Sequence, residues 1–401
     1  MLAVMLEVFY LLAALQILLG LYLAGDGLRW LAYARRRLLL HPGFYTPRVA
    51  VLCPCKGLEP SLEQNLHALC EFDYANYEVF FILASAEDSA HGVLRRVSET
   101  SKHKAHIVIA GAPVDCGEKV SNLRAAIEQL PEDFEVLVFA DSDGRPGRRW
   151  LQQLVAPLHD SKLGAASTMR WFFPARTNLP TALLAAWNAP VVTLLGDHDR
   201  NFCWGGGTAI RRSVFEQVQV PEEWRSSVSD DYSMTRALQR AGRPILFVPE
   251  CLTLSYPAVD FAGLLDFTNR QVLITRVYAS KMWWRASATH LLYCATLLLG
   301  AGLFLDNLIA SRPALHLLVL TSLPMLLAAI RGALRIAGVS EVLPASRSLL
   351  MEQGWIWTVL AVFVPFLYLL NFATSAVTRT LHWRGIRYLL VSPNQTRILA
   401  R

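Results

Sequence analysis

The stretch VLVFADSDGRPGRRW (Val136–Trp150) sets two aspartates, one serine apart, directly behind a run of apolar residues. Carboxylates at i and i+2 on a turn can both approach a hard cation such as Mg²⁺ or Mn²⁺, which prefers oxygen ligands and completes its shell with water and phosphate. Asp141 and Asp143 are therefore candidate metal ligands. The same pair also suits a polar turn that only closes a strand. Glu87 and Asp88 offer carboxylates to the base or ribose of a nucleotide, although Asp88-Ser89 would equally cap a helix. Lys119, behind DCGE, can meet a phosphate as a point charge or stand solvated at the surface. Asp230 and Asp231 suit the first turn of a helix, where the dipole favours carboxylates. One of them could instead act as a general base on an attacking hydroxyl. Gly205, Gly206 and Gly207 allow close backbone approach to a ligand, or a tight turn. Arg270 and Gln271 could clamp a diphosphate, or contact lipid headgroups.

These residues need a frame. Arg48–Pro54, Tyr77–Ser85, Ala105–Gly111 and Glu135–Asp141 are short, β-branched or aromatic, and end in turn chemistry, which predicts buried strands. Leu62–Cys70, Gly92–Thr100 and Val120–Gln129 fit helices between them. Such alternation implies a mainly parallel sheet covered on both faces, with its ligand site beyond the carboxyl ends of the strands. Further on, Cys203–Phe215 reads as a glycine turn, a short strand and a helix start. A helix begins near Asp230 and stops at Gly242, and Ile245–Val248 forms a strand.

Hydrophobic residues make up 53% of the 401 and charged residues 17%, below the roughly 25% charged share of soluble domains. The deficit is local. Met1–Ala24 carries one charge, Glu7, and three further apolar runs lie near 289–310, 313–334 and 355–377. These predict membrane spans. The first run lacks the basic start and cleavage pattern of a signal peptide, so a retained helix over 1–25 is expected. Arg29, Arg35, Arg36 and Arg37 follow in a basic linker (26–47), which places that end, and a catalytic domain over 48–260, in the cytoplasm, as at a bacterial inner membrane or its equivalent. Phe267–Ala286 is amphipathic and basic with Trp283 and Trp284 at its end, suiting an interfacial segment (261–288) before the C-terminal helices (289–377). A basic tail (378–401) follows. With all three later runs crossing, that tail would lie outside, against the charge rule, unless Pro313–Ile336 is re-entrant.

No basic stripe with interleaved aromatics supports nucleic-acid binding. Seven scattered cysteines argue against a disulfide framework, and Cys53 and Cys55 read as reduced and structural.

The order PCKG, an acidic pair after the second strand, GEKVSNL, DSD, a glycine turn, SDDY and RQVLITR resembles the inverting glycosyltransferases of family 2/21 type. Within them it is most similar to ceramide glucosyltransferases and bacterial hopanoid-linked relatives, through KGLEPSLEQNL…FDYANYEVFF, KVSNL and DDYSM…AGRPILFVPE. The resemblance implies an α/β GT-A nucleotide-sugar-binding fold with N- and C-terminal transmembrane helices. It implies that Cys55, Lys56, Glu87, Asp88, Lys119, Asp141, Gly206, Arg270 and Gln271 bind the nucleotide sugar and that Asp141 and Asp143 hold a divalent cation. Asp231 matches the catalytic base, with Asp230 where glutamate is usual. The implied donor is a UDP-sugar and the implied acceptor a lipid hydroxyl. The final Q/R-x-x-R-W motif is broken: Arg270 fits its first position, but Leu273 and Ile274 replace arginine and tryptophan. Arg276 then becomes a candidate for the missing charge. The alternatives are a polysaccharide synthase of the same fold and a non-catalytic nucleotide-sensing membrane scaffold.

Overall fold

Alternate residues of a strand face opposite sides of its sheet, and here both sides are apolar. Val49, Val51 and Cys53 of β1 (Val49–Pro54) join one core with Val79, Phe81, Leu66, Leu94 and Leu151. Ala50 and Leu52 join a second core with Ile82, Phe139, Leu123 and Trp224. Burying each such aliphatic or aromatic side chain contributes about 1.5–3 kcal/mol. A strand apolar on both faces belongs in the middle of a covered sheet, and β1 lies there. The computed structural model describes residues 2–40, 43–59, 61–176 and 178–400.

The chain divides into two compact units. One comprises Arg36–Arg176, Leu194–Ala258 and Arg379–Arg401. Its main sheet contains β1, β2 (Tyr77–Leu83), β3 (Ala105–Ile109), β4 (Val136–Ala140), β6 (Ala165–Ser167), β8 (Gly207–Arg211) and β9 (Ile245–Phe247), in the order β3-β2-β1-β4-β8-β6-β9. The pairs β2–β3, β1–β2, β1–β4 and β6–β9 are parallel, and β8 runs antiparallel to β4 and β6. The carboxyl ends of β1, β2 and β4 therefore open at one edge. A small sheet of β5 (Gly144–Arg145), β10 (Thr253–Ser255) and β7 (Arg170–Phe172) starts beside the turn that leaves β4.

The segment read from the sequence as a basic tail is folded. β11 (Thr380–Trp383), β12 (Ile386–Ser392) and β13 (Gln395–Ala400) form an antiparallel sheet within this unit. Its physical basis is a period of two: Ile386, Tyr388 and Leu390 are buried along one face of β12, with Leu381 opposite on β11.

The other unit (Met1–Arg35, Thr177–Thr193 and Val259–Thr378) is helical. Leu2–Leu38, Ser280–Ile309 and Leu315–Val342 are long and apolar enough to cross a membrane, and Gly354–Val362 with Val364–Val377 forms a pair bent by 61°. Leu11, Leu18, Leu298, Leu305 and Leu315 stand exposed along the three long helices. The first helix continues past residue 25 to Leu38, since neither glycine nor proline interrupts Leu28–Leu38. The stretch read as one interfacial segment is broken at Ala279, with Phe261–Tyr278 ahead of it and Ser280–Ile309, which contains Trp283 and Trp284, behind. Near the end of the first helix, Arg35 pairs with Glu341 at 2.8 Å.

Candidate active site

β4 is buried throughout and ends at Ala140, so Asp141 is the first residue to leave the sheet. The helix Glu118–Gln129 brings Lys119 to it from its first turn. Lys119 Nζ donates to Asp141 Oδ1 at 2.8 Å and to the Gly205 carbonyl at 3.3 Å. It lies 3.1 Å from Asp230 Oδ2, an ion pair outside hydrogen-bond geometry. Asp230 opens the helix Asp230–Arg240, capped by Ser229, whose hydroxyl accepts from Tyr232 N at 3.1 Å. Asp231 is half-buried, and its Oδ1 accepts from Tyr232 N at 2.7 Å and from the Ser229 hydroxyl. Lys119 thus ties the end of β4 to the start of a helix 90 residues further along the chain.

A second cation sits beside the turn. Arg170, at the start of β7, donates to Asp143 Oδ2 at 2.8 Å and lies 4.0 Å from Asp141 Oδ2. Burial disfavours both cations, but the carboxylates outweigh it and raise Lys119 and Arg170 above their usual range. Burial likewise pushes Asp141 up, yet Lys119 and Arg170 bring it below the usual carboxylate range. Asp230 differs. Burial raises it to about 6, with Lys119 opposing and Asp231 adding to the rise. Glu59 is also raised, first by burial and then by Asp143.

The carboxylate pair fits a hard cation. Asp143 Oδ1 is buried without a hydrogen-bond partner, and a Cβ at Gly206 would fall 2.5 Å from Asp141 Oδ2, so glycine keeps that oxygen clear. Among the described residues no group of three or more His, Cys, Asp or Glu side chains stands arranged around a metal position. A cation here would complete its shell with water and ligand oxygens.

The other expected residues divide. Lys56 pairs at 2.8 Å with Glu118, the residue that precedes Lys119 on its helix. Asp88 accepts from Gly57 N at 2.8 Å and Ala90 N at 2.9 Å, so its carboxylate ties the loop after β1 to the start of the helix His91–Thr100. Glu87 is exposed and turned to the Ser85 hydroxyl, which lowers its carboxyl. The Cys55 side chain is packed in the apolar core, so only its backbone could serve a ligand. All seven cysteines are free and buried. Arg270 and Gln271 lie on the helix Phe261–Tyr278, in the other unit. Arg276, considered for the broken final motif, donates to the carbonyls of Ser375 and Thr378 and so caps the end of the helix Val364–Val377. Arg170, Glu59 and Arg384 were not singled out in the sequence. A lone arginine in the apolar run TMRWFF was the available signal for Arg170.

The sequence profile of glycosyl transferase family 21 matches residues 18–396. The chain belongs to that family. Ceramide glucosyltransferase 1 of Caenorhabditis elegans is 29% identical over 207 residues, which covers 49% of this chain and 43% of that relative. The chain therefore spans less than half the length of that relative in the match. Among solved structures, glucosyl-3-phosphoglycerate synthase of Mycobacterium tuberculosis with Mn²⁺, UDP and phosphoglyceric acid matches at 15% identity and TM-score 0.40, covering 59% of this chain and 84% of that one. The same enzyme with Mn²⁺ and UDP-glucose matches at 13% and 0.38, with the same coverage. Likeness at this level says nothing about the site. The family 21 chain carries the α/β architecture with a mainly parallel sheet that its motifs led us to expect.

Proposed function

We propose that this chain is a membrane-bound inverting glycosyltransferase that moves a hexose or N-acetylhexosamine from a UDP-sugar to a lipid hydroxyl, giving a β-glycoside. A ceramide- or hopanoid-like acceptor suits the reading best. The observation that carries it is Lys119, buried between Asp141 and Asp230 at the carboxyl edge of a mainly parallel sheet, in a chain of family 21. Such an edge is where this class of sheet binds ligands.

Asp141 and Asp143 would hold a divalent cation, which when bound supplies charge stabilisation to the departing diphosphate. Lys119 and Arg170 fix those two carboxylates and present positive charge where negative charge develops. Asp230 is buried and committed to Lys119, whereas Asp231 remains partly exposed. Asp231 is therefore the better group to take the proton of the acceptor hydroxyl as it attacks the anomeric carbon. The Ser229 hydroxyl and Tyr232 N–H orient its carboxylate.

The long helices and their exposed leucines support membrane insertion. Arg29, Arg35, Arg36 and Arg37, which lie in the C-terminal turns of the first helix, favour a cytoplasmic side for that end. Residues 379–401 fold within the same unit as residues 36–176, so an even number of crossings must separate them from Ala258. The helices Ser280–Ile309 and Leu315–Val342 provide two, and the Arg35–Glu341 pair returns the second to the side where the first helix ends. The bent pair Gly354–Val377 is then re-entrant.

The test is transfer by purified chain in detergent, given a panel of UDP-sugars and a lipid extract and read by mass spectrometry. Wild type should yield a glycolipid and UDP, and Asp231→Asn should lose turnover by about 10²-fold or more while UDP binding stays. Normal turnover by Asp231→Asn would remove it as the base. Absence of any glycolipid across the panel would remove the lipid acceptor.

A further inference from the structure

A cleft of 340 Å³ opens at the carboxyl ends of β1 and β2, and part of its wall comes from the far end of the chain. Lys56, Ser85 and Glu118 line it together with Arg384, Gly385 and Ile386. Its size falls within the range of small-ligand sites, roughly 300–1,000 Å³. Arg384 and Gly385 form the two-residue turn between β11 and β12, where Trp383 pairs with Ile386.

The hairpin is docked by more than apolar contact. Arg384 Nη1 donates to the Lys56 carbonyl at 2.7 Å, across 328 residues of sequence, and its Nη2 meets the Glu59 carboxylate. The Tyr388 hydroxyl accepts from Glu118 N at 3.2 Å. Lys56 and Glu118 are themselves an ion pair. The hairpin therefore grips both the loop that leaves β1 and the start of the helix that carries Lys119.

The turn itself is unusual. Its two residues have φ of 51° and 83°, the sign pattern of the tight turns that suit hairpins and favour Asn-Gly. Gly385 answers the second position. At the first, arginine is strained where asparagine would be at ease. A strained residue held by its surroundings is a pointer to use, and here the side chain reaches into the cleft wall. The charges agree with this placement: Arg384 acts on both Asp141 and Glu59, so its guanidinium faces the carboxylate cluster.

We propose that the C-terminal hairpin is a wall of the donor site, with Arg384 a donor-binding residue at the diphosphate end and Gly385 and Ile386 bounding the nucleoside. This rests on the UDP-sugar reading above. The ribose hydroxyls would find acceptors in Glu118 and Ser85. A planar guanidinium with several N–H donors can bridge phosphate oxygens while keeping its bond to the Lys56 carbonyl.

The experiment measures UDP and uridine in competition with a fluorescent UDP analogue, on the full-length chain in detergent with Mn²⁺ present. Arg384→Ala should weaken UDP by about tenfold or more and uridine by less than about threefold, measured below the melting transition of the variant. Arg384→Lys, which keeps the charge, should recover part of the loss. Ile386→Trp, which fills the cleft from the hairpin side, should weaken both ligands alike. Equal UDP affinity in Arg384→Ala and wild type overturns the proposal, and so does an equal loss of UDP and uridine in Arg384→Ala, which would mark a merely structural role. A wild-type chain that binds no UDP overturns the donor reading itself and this proposal with it.

Discussion

Replacing Lys119 by methionine keeps the length and apolar stem of the side chain but strips the shared cation from two buried carboxylates. Its consequence can be worked from the geometry. Lys119 Nζ lies 2.8 Å from Asp141 and 3.1 Å from Asp230. Without it, each carboxylate is limited in how much it can destabilise the fold, because it can take up a proton instead. Asp230, already raised to about 6, lies about one pH unit from half-protonation at pH 7, so neutralising it costs on the order of 1–2 kcal/mol. Asp141 starts below the usual range, so neutralising it at pH 7 costs more than the roughly 4 kcal/mol of an ordinary carboxyl. Arg170 at 4.0 Å recovers part of that. The expected loss is about 3–5 kcal/mol at pH 7, the range seen when one partner of a buried ion pair is removed. The sign with pH follows. In Lys119→Met both carboxyls have raised folded values, so that variant gains stability as pH falls. Wild-type Asp141 is lowered, and its contribution persists above the ordinary carboxylate value. Wild-type Asp230, at about 6, also gains somewhat toward pH 5, so the quantity to read is the difference between the two proteins. That difference should shrink to about 1–2 kcal/mol at pH 5. Tryptophan-fluorescence melts in detergent at pH 5, 6 and 7 measure it, with about 10 °C expected at neutral pH. A constant difference across that range, or none at pH 7, would refute the placement of Lys119 between the two aspartates.

Two other outcomes are expected. UDP affinity measured with Mn²⁺ should exceed that in EDTA by about tenfold or more, and Asp143→Ala should abolish this dependence; equal affinities in both buffers would remove Asp141 and Asp143 as cation ligands. Ser311→Cys, between the helices Ser280–Ile309 and Leu315–Val342, should react with an impermeant maleimide from outside intact cells, and Gln395→Cys only from inside, against a low background because the native cysteines are buried; external labelling of Gln395→Cys would mean that the bent pair crosses.

What the sequence disclosed follows the range over which its signals act. The four first strands and the three helices between them were legible because each announces itself within a short window, by an apolar run and the turn that ends it. DSD and SDDY stood out as candidate chemistry for the same reason. Burial then separated neighbours that the sequence cannot: Asp230 is committed to Lys119 and Asp231 is not. Arg170 is one charge in a short strand, and only the fold reveals that it neutralises Asp143. The C-terminal sheet was readable in principle. TLHW and IRYLLVS alternate on either side of a two-residue gap that ends in glycine, but Arg-Gly lacks the asparagine or aspartate that marks such a turn, and the charges of TRTLHWRGIRYLL suggested a basic tail. Its contact with Lys56 spans 328 residues, and no local pattern encodes that.

The charges around the crevice argue for how a donor would enter. Lys119, Arg170 and Arg384 face Glu59, Asp141, Asp143, Asp230 and Asp231, so carboxylates outnumber cations by two when all are ionised. Asp230, at about 6, is mostly ionised at neutral pH and relieves little of this. A diphosphate adds further negative charge to a surplus that the protein does not balance. Repulsion between like charges a few ångströms apart costs several kcal/mol even at an effective dielectric near 20. A divalent cation would offset that surplus, and Asp143 Oδ1, a buried oxygen without a hydrogen-bond partner, could receive it. Donor and cation should therefore bind with positive coupling, each raising the affinity of the other by the same factor. Arg384 adds to this from the hairpin, which makes the C-terminal sheet part of the balance rather than an appendage to it.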